Sequence, residues 1–223
     1  MTEARTLEAS LRPLDAAERR RLASRARSLR TTAGRGSQVV LLAIGTVIAL
    51  WILTLLVSDA DPLFITAFWV VAGAVIALWV HHDFRRDARY LRAMADDHEF
   101  ALERDEAEVY EIRARAFAEL EEVEDEGACY AFELEGDRVV FVVGQEFYPG
   151  PRFPSLDFSL VYPLGRTGPV DLWIEDRGPK AAPARVVPAA TEWRSGVPLH
   201  LTVIPGTLDG LDRWLEERES DPP

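Results

Sequence analysis

The stretch VVLLAIGTVIALWILTLLV, residues 39–57, is followed after five residues by a second apolar run, LFITAFWVVAGAVIALWV, residues 63–80. Neither run contains an acidic, basic or histidine residue. As a helix rising about 1.5 Å per residue, each run is long enough to cross a hydrocarbon core of roughly 30 Å. Lipid supplies no partners for backbone N–H and C=O groups, so a spanning segment must be helical. We therefore predict a transmembrane helical hairpin over residues 38–82, embedded in a lipid bilayer.

Basic residues flank the predicted hairpin on both outer sides. Residues 1–37 carry a net charge of +5 and residues 81–92 a net charge of +2, whereas the connecting loop has only two aspartates. Because positively charged flanks stay in the cytoplasm, both termini are expected there. Trp79, Arg85 and Arg86 lie close to the end of the second run, and we expect them to anchor it at the lipid head groups.

Arginine outnumbers lysine by 24 to 1, a usage typical of GC-rich bacterial genomes. Together with the apolar runs, this usage predicts a multi-pass protein of the bacterial inner (plasma) membrane. The first run is long, and the residues after it lack a small-residue cleavage pattern. We therefore expect an uncleaved anchor and not a secretory signal.

Two pairs of small residues lie within the runs, Gly45 with Ala49 and Gly73 with Ala77. Small residues four positions apart let helix backbones approach closely in lipid. The pairs therefore predict helix packing in the membrane, either within the hairpin or between copies. No ionisable residue or interrupted helix marks a transport path. A pore through one hairpin is not expected, while an oligomeric pore lined by threonine and glycine stays open.

Residues 1–37 form a basic cytoplasmic segment with a predicted amphipathic helix. Residues 1–12 are expected to fray. Asp15, followed three positions later by Glu18, has the spacing of a capping box and predicts a helix over 16–30. The arginines of this helix either bind anionic head groups or act only as the topology signal.

A long cytoplasmic helix is predicted over 83–126, because no glycine or proline interrupts the chain before Gly127. Steps of three and four residues link Ala88, Leu91, Ala95, His98, Leu102, Asp105, Val109, Ile112 and Ala116. This imperfect heptad seam predicts a coiled coil, used either for a homo-oligomer through 83–126 or for packing on the following domain. The acidic end of the helix is interpreted as a solvated spacer and not as a metal site.

From residue 128 onward, short alternating segments are separated by glycine and proline. Strands are predicted over 129–134, 138–143, 156–162, 170–175, 184–187 and 199–204, and a helix over 208–217. The first two strands flank Glu135-Gly136-Asp137, a hairpin turn. Residues 128–223 are therefore predicted to form a small antiparallel β sheet or barrel with a C-terminal helix, able to fold as a separate fragment. The predicted fold class is α+β, a membrane α part plus a soluble β-rich part.

No motif for catalysis, cofactor binding or metal binding is present. The single cysteine, Cys129, excludes an internal disulfide and is expected to be buried in a strand. The four histidines are scattered, and His200 is expected to be structural. A net charge of −6 over 127–223 argues against nucleic-acid binding. We therefore expect no cofactor and no enzymatic activity.

The loop 144–154, with three aromatic residues and three prolines, is the strongest candidate for contact with a protein partner. Tyr148, Arg152 and Phe153 are the predicted contacts, because aromatic and arginine side chains provide large contact areas at interfaces. Alternatively, the aromatic side chains cap the core beneath the loop.

These patterns favour a non-enzymatic inner-membrane protein that anchors a cytoplasmic β-rich interaction module. Its partner would be an unknown protein or a second copy of the chain. The alternative is an oligomeric membrane channel or transport accessory subunit with a cytoplasmic gating domain. A membrane-bound enzyme would require a cleft that contains His200 and an acidic neighbour.

Overall fold

The computed structural model describes residues 5–34, 36–58, 61–122, 127–188 and 199–219, and the side chains of all of these except 36–40 and 216–219. Within these residues the fold is α+β, as predicted, with helices and a large, mainly antiparallel sheet. The chain forms two compact units. The helical unit comprises Pro13–Glu106 and Leu164–Val170, and the sheet unit comprises Met1–Arg12, Ala107–Pro163 and Asp171–Pro223.

The described helices are α1 (Ala16–Gly34), α2 (Gly36–Val57), α3 (Pro62–Arg104) and α4 (Leu211–Glu219). The described strands are β1 (Arg5–Thr6), β2 (Ser10–Arg12), β3 (Ala107–Leu120), β4 (Ala128–Leu134), β5 (Arg138–Gly144), β6 (Asp157–Pro163), β7 (Trp173–Asp176), β8 (Arg185–Val187) and β9 (Thr202–Pro205).

Helix α1 begins at the predicted capping box. The Asp15 carboxylate accepts hydrogen bonds from the Ala17 and Glu18 backbone N–H groups, at 2.6 and 2.7 Å. In return, Glu18 Oε2 accepts from the Asp15 N–H at 2.6 Å. Three backbone donors that have no partner within the helix backbone are satisfied in this way, and the predicted helix start is confirmed.

Both apolar runs are helical, and α2 and α3 pack side by side. Trp51 Nε1 donates to Thr66 Oγ1 at 3.4 Å, and a Cβ added to Gly73 would lie 3.1 Å from Val47 Cγ1. The residue of α2 with the lower number, Val47, contacts the residue of α3 with the higher number, Gly73. The two helices are therefore antiparallel.

Among the described residues, one helix, α3, is long and apolar enough to cross a membrane by length and composition. Only 6% of the 18-residue apolar stretch of α3 is buried inside the protein. The described side chains of α2, Leu41–Val57, form a shorter apolar helix.

The predicted helix over 83–126 is wrong beyond Arg104. Asp105 adopts a left-handed conformation with φ of 56°, and its N–H donates to the Ala101 carbonyl at the helix end. The fourteen-residue strand β3 begins two positions later, at Ala107. The sequence of β3 alternates between polar and apolar residues over 111–116, which is the pattern of a strand. The same segment also contains the steps of three and four residues that are typical of a helix. Pairing with neighbouring strands selects the strand.

The part of the seam that is helical is covered by α1. Ala95 and His98 are buried in the half of α3 against which α1 packs, and Leu22 and Ala26 are buried on α1. Arg30 of α1 forms ion pairs with Asp96 and Glu99 of α3. This part of the seam therefore makes an antiparallel helix contact within the chain, and the predicted homo-oligomer through 83–126 stays a prediction. Residues 123–126, which include three of the acidic residues of this segment, lie outside the described residues.

The sheet has the strand order β1-β9-β5-β4-β3-β6-β7, with β2 and β8 also paired to β3. The N-terminal half of β3, 107–113, pairs with β6, and its C-terminal half, 114–120, pairs with β4 after an irregularity between Ala114 and Ala116. Strand β8 runs parallel to β3, and the other pairs are antiparallel. Strand β3 is therefore the centre of the sheet unit.

Residues 5–12 correct the prediction of fraying, while residues 1–4 lie outside the described residues. Strand β1 pairs with β9, and β2 pairs with β3. The predicted hairpin between β4 and β5 is confirmed, since Gly136 and Asp137 have the positive φ values of 74° and 50° that its tight turn requires.

Strands β4 and β5 are buried on both faces. Phe132 and Val140 belong to one hydrophobic cluster, while Ala131 and Phe141 belong to a second cluster on the opposite face. The predicted C-terminal helix covers the second cluster. Leu208 and Leu211 are buried there, and the Trp214 ring stacks on Phe141 with centroids 5.5 Å apart.

Candidate functional site

Large apolar side chains are exposed along α2 and the first half of α3. Leu56 is 78% exposed, Leu63 79% and Trp79 67%. The other exposed side chains in this set include Leu41, Leu42, Ile44, Ile48, Leu50, Ile52, Leu53, Val57, Phe64, Phe68, Val70, Val71, Val75, Ile76 and Leu78. Soluble monomers rarely expose continuous apolar patches of more than a few hundred Å². We call this set the apolar surface.

The two pairs of small residues lie in different surroundings. Gly73 and Ala77 are partly buried where α3 contacts α2, and the approach of Val47 to Gly73 shows why a small residue is needed there. Gly45 and Ala49 are exposed on α2, and no heavy atom lies within 4 Å of a Cβ added to Gly45. Gly73 and Ala77 therefore lie in the contact between α2 and α3, whereas Gly45 and Ala49 lie on a surface that the described residues leave exposed.

Trp79, Arg85 and Arg86 are exposed on α3. They follow one another along the helix, where the apolar side chains give way to charged ones. Their role as membrane anchors stays a prediction.

The loop between β5 and β6 separates the three predicted partner contacts. Phe153 is only 4% exposed, and its ring lies edge-on to the rings of Tyr130 and Phe158, with centroids 5.5 and 5.3 Å apart. It is part of the core, so its predicted partner contact is wrong and the alternative of core capping is correct for this residue. Tyr148 and Arg152 are exposed. The Tyr148 hydroxyl donates to Glu122 Oε1 at 2.5 Å.

A polar cluster lies around His200. The Val143 backbone N–H donates to His200 Nδ1 at 3.1 Å, and His200 Nε2 lies 2.7 Å from the Tyr162 hydroxyl oxygen. Phe147 stacks on the imidazole with ring centroids 5.0 Å apart. We call His200, Tyr162 and the neighbouring Glu146 the histidine cluster.

The hydrogen bonds fix the form of the imidazole. A backbone N–H can only donate, so Nδ1 of His200 must accept, and in the neutral ring the proton is then on Nε2. Nε2–H donates to the Tyr162 hydroxyl. A doubly protonated ring would place an N–H at Nδ1 against the N–H of Val143. The geometry therefore favours the neutral histidine.

Burial favours the neutral form of both His200 and Tyr162. Burial lowers the pKa of His200, and the nearby Glu146 carboxylate opposes this effect only partly. Burial also raises the pKa of Tyr162, as do the charges of Glu146 and Tyr110. Both side chains are therefore neutral at pH 7, and the carboxylate of Glu146 is the acidic neighbour of the histidine.

We expect the sheet unit to lose stability in mild acid through His200. Because folding lowers its pKa, the unfolded chain binds more protons, so the contribution is complete above the ordinary pKa of 6.5 and is lost as the pH falls below it. Urea unfolding of the full chain at several pH values measures this loss.

The matched variant is His200→Asn, whose side-chain oxygen can still accept from Val143 and does not titrate. Its stability is expected to decline less between pH 6.5 and 5 than that of the unmodified chain. His82→Asn, at an exposed position on α3, should keep the original decline. Equal acid sensitivity in the His200 variant and the unmodified chain would remove His200 as the cause.

The sequence singled out His200 but neither of its partners. Tyr162 lies near the end of β6, Glu146 lies in the short 3-10 helix Gln145–Phe147, and His200 comes just before β9. No local pattern joins positions so far apart in the chain. Both imidazole nitrogens have partners within the protein, so the histidine can act on a bound molecule only after one of these bonds breaks.

No protein-family model, curated protein or solved structure matches this chain. Its function must therefore be inferred from its own surfaces and clusters.

Proposed function

We propose that this chain is a non-enzymatic integral membrane protein of the bacterial inner membrane. Helix α2 and the first half of α3 form its transmembrane hairpin, and the sheet unit is a cytoplasmic interaction module tethered to the bilayer. The observation that carries the proposal is the apolar surface, which extends over both helices.

The distribution of apolar residues supports insertion into lipid. A helix on the surface of a soluble protein has one apolar stripe, whereas a helix that is apolar on all sides needs an apolar environment. The described part of α2 has no charged side chain on any face. Water would have to cover the exposed side chains of both helices if the protein were soluble, at a cost of about 25 cal/mol per Å² of apolar surface.

The polar side chains of the two helices also fit a lipid environment. The hydroxyls of Thr46, Thr54 and Thr66 each donate to the carbonyl four residues earlier, at 3.0, 2.7 and 2.8 Å. Their hydrogen-bonding needs are met within their own helix, as an apolar solvent requires.

The charges beside the hairpin support a cytoplasmic location for the sheet unit. Basic residues predominate in α1 and directly after Val80, while Asp61, in the short connection, caps the start of α3 by accepting from the Leu63 N–H. Since basic flanks are retained in the cytoplasm, this charge distribution supports a cytoplasmic location for both chain ends.

Tyr148 and Arg152 support the role of an interaction module. Both are exposed on a loop whose neighbour Phe153 is fixed in the core, so the loop presents them from a rigid base. Rigidly held aromatic and arginine side chains are the residues that most often dominate binding at interfaces. The acidic charge of the sheet unit disfavours a nucleic-acid partner.

An oligomeric channel is the second candidate function. Gly45 and Ala49 favour it, because this exposed pair on α2 would allow a close approach of a helix from another copy. A channel would conduct ions when the purified protein is placed in liposomes, whereas an anchor would not.

The test uses the full chain expressed in a bacterium. Membranes are washed with alkaline carbonate, and in-cell crosslinking is followed by a pull-down from detergent extracts. The double variant Tyr148→Ala/Arg152→Ala is compared with Arg213→Ala, which alters an exposed position on α4.

We expect the protein to stay in the washed membranes and to capture one dominant protein. The double variant should reduce this capture by about ten-fold or more, as for an interface residue worth 1.4 kcal/mol or more, while Arg213→Ala leaves it unchanged. Release of the protein by carbonate would disprove membrane insertion. Capture of only further copies of the chain, with ion flux in liposomes, would favour the channel.

A further inference from the structure

A cavity of about 130 Å³ lies between α2 and α3. Its lining residues are all apolar and come equally from the two helices: Ala43, Ile44, Val47, Ile48, Gly73, Ile76, Ala77 and Val80. Ile44, Ile48 and Ile76 are exposed at its rim. The cavity is therefore open on the side of the apolar surface, and we call it the α2/α3 groove.

Small side chains create the groove. The helices are in contact at Gly73, where a Cβ would lie 3.1 Å from Val47 Cγ1. One turn further along, Ala77 on α3 and Ala43 on α2 line the groove without filling it. The distance from Gly73 to Val80 along α3 is about 10 Å at 1.5 Å per residue.

The dimensions fit an acyl chain and not a helix of a second copy. A helix with its side chains is about 10 Å wide and cannot enter between two helices that already touch. A cavity of about 150 Å³ with an apolar lining admits benzene, so a volume of this order holds a stretch of roughly six carbon atoms. In a bilayer the molecules that contact such a groove are lipid chains.

The residues that follow the groove along α3 favour an anionic lipid head group. Val80, the last lining residue of the groove, is followed at once by His81 and His82 and then by Arg85 and Arg86, all exposed. Residues 81–92 have a net charge of +2 even with their two aspartates included. A lipid whose acyl chain lies in the groove would have its phosphate near the guanidinium groups of Arg85 and Arg86, which favours an anionic lipid.

We propose that the α2/α3 groove binds one acyl chain of an anionic phospholipid, whose phosphate lies beside Arg85 and Arg86. This inference rests on the proposed membrane insertion of α2 and α3. It adds a specific lipid site to a hairpin that otherwise needs only a generic bilayer.

The test reconstitutes the full chain in phosphatidylcholine vesicles that contain a photoactivatable phosphatidylglycerol with a diazirine in its acyl chain. A phosphatidylcholine with the same diazirine is the neutral comparison. After irradiation, mass spectrometry maps the modified residues. Ala77→Phe and Ala43→Phe fill the groove, and Ala74→Phe adds the same side chain at an exposed position of α3 outside it.

We expect adducts on residues 43–48 and 73–80 of the unmodified protein. Their yield should decrease about five-fold or more in both groove variants, because the added ring removes the packing contacts of the acyl chain. The yield should stay unchanged in Ala74→Phe. Arg85→Gln/Arg86→Gln should abolish the preference for the anionic probe over the neutral one. Equal labelling in all variants, or adducts spread over the whole apolar surface, would overturn the groove site while leaving membrane insertion standing. Failure of the unmodified chain to enter vesicles would overturn both proposals.

Discussion

Ile48→Arg is expected to impair membrane insertion of α2 by about 2.5 to 3.5 kcal/mol, the cost of an arginine at the centre of a spanning helix. Ile48 lies near the middle of the first apolar run, and its side chain is exposed on the apolar surface. No acidic side chain of the described part of α2 is available to pair with the new charge. The carbonate-resistant fraction of the full chain in bacterial membranes measures the effect.

Two controls separate insertion from general damage. Ile48→Leu keeps an apolar side chain and should leave the membrane fraction unchanged. Leu11→Arg introduces the same charge at a side chain that is 65% exposed on β2 of the sheet unit, and it should also have no effect. An unaltered membrane fraction for Ile48→Arg would show that α2 does not span the bilayer.

A fragment of residues 128–223 is expected to remain unfolded, in contrast to the prediction from sequence. The fragment lacks β3, which pairs with β2, β4, β6 and β8. Without it, the sheet is divided between β4 and β6, and Ile112 and Phe117 are missing from the hydrophobic core. Loss of one buried phenylalanine alone costs about 3 to 5 kcal/mol, comparable with the whole stability of a small domain.

The matched fragment is 107–223, which restores β3. Near-ultraviolet circular dichroism and urea unfolding should show fixed aromatic packing and a cooperative transition for this fragment and neither for 128–223. The longer fragment still lacks β1 and β2, so its stability is expected to be lower than that of the sheet unit in the full chain. A cooperative transition for 128–223 would mean that β4 and β6 do not require the strand between them.

Several local features could be predicted from the sequence. The capping box at Asp15 and Glu18 and the turn at Gly136 and Asp137 depend on residues within a few positions of one another. The apolar face of α4, formed around Leu211, is also a local pattern. Such features need no knowledge of the rest of the chain.

The candidate sites were predicted less completely. Tyr148 and Arg152 are exposed as expected, but Phe153 lies in the core because residues from three other segments surround it. The histidine cluster combines side chains from three segments of the sheet unit, and the α2/α3 groove exists only because two helices meet at Gly73. A linear pattern contains no information on these distances.

The sequence alone was sufficient for the two apolar helices, the α+β class and most of the strands after residue 128, because run length, period and turn residues are properties of neighbouring positions. The tertiary structure was needed to assign 107–120, whose alternation suits either a strand or a helical seam. Pairing resolves this ambiguity through partners that are distant in the chain, such as Ser10, whose hydroxyl donates to the Val109 carbonyl 99 residues away. Long-range pairing also explains why β1 and β2 are strands of the sheet, although the N-terminal residues were predicted to fray.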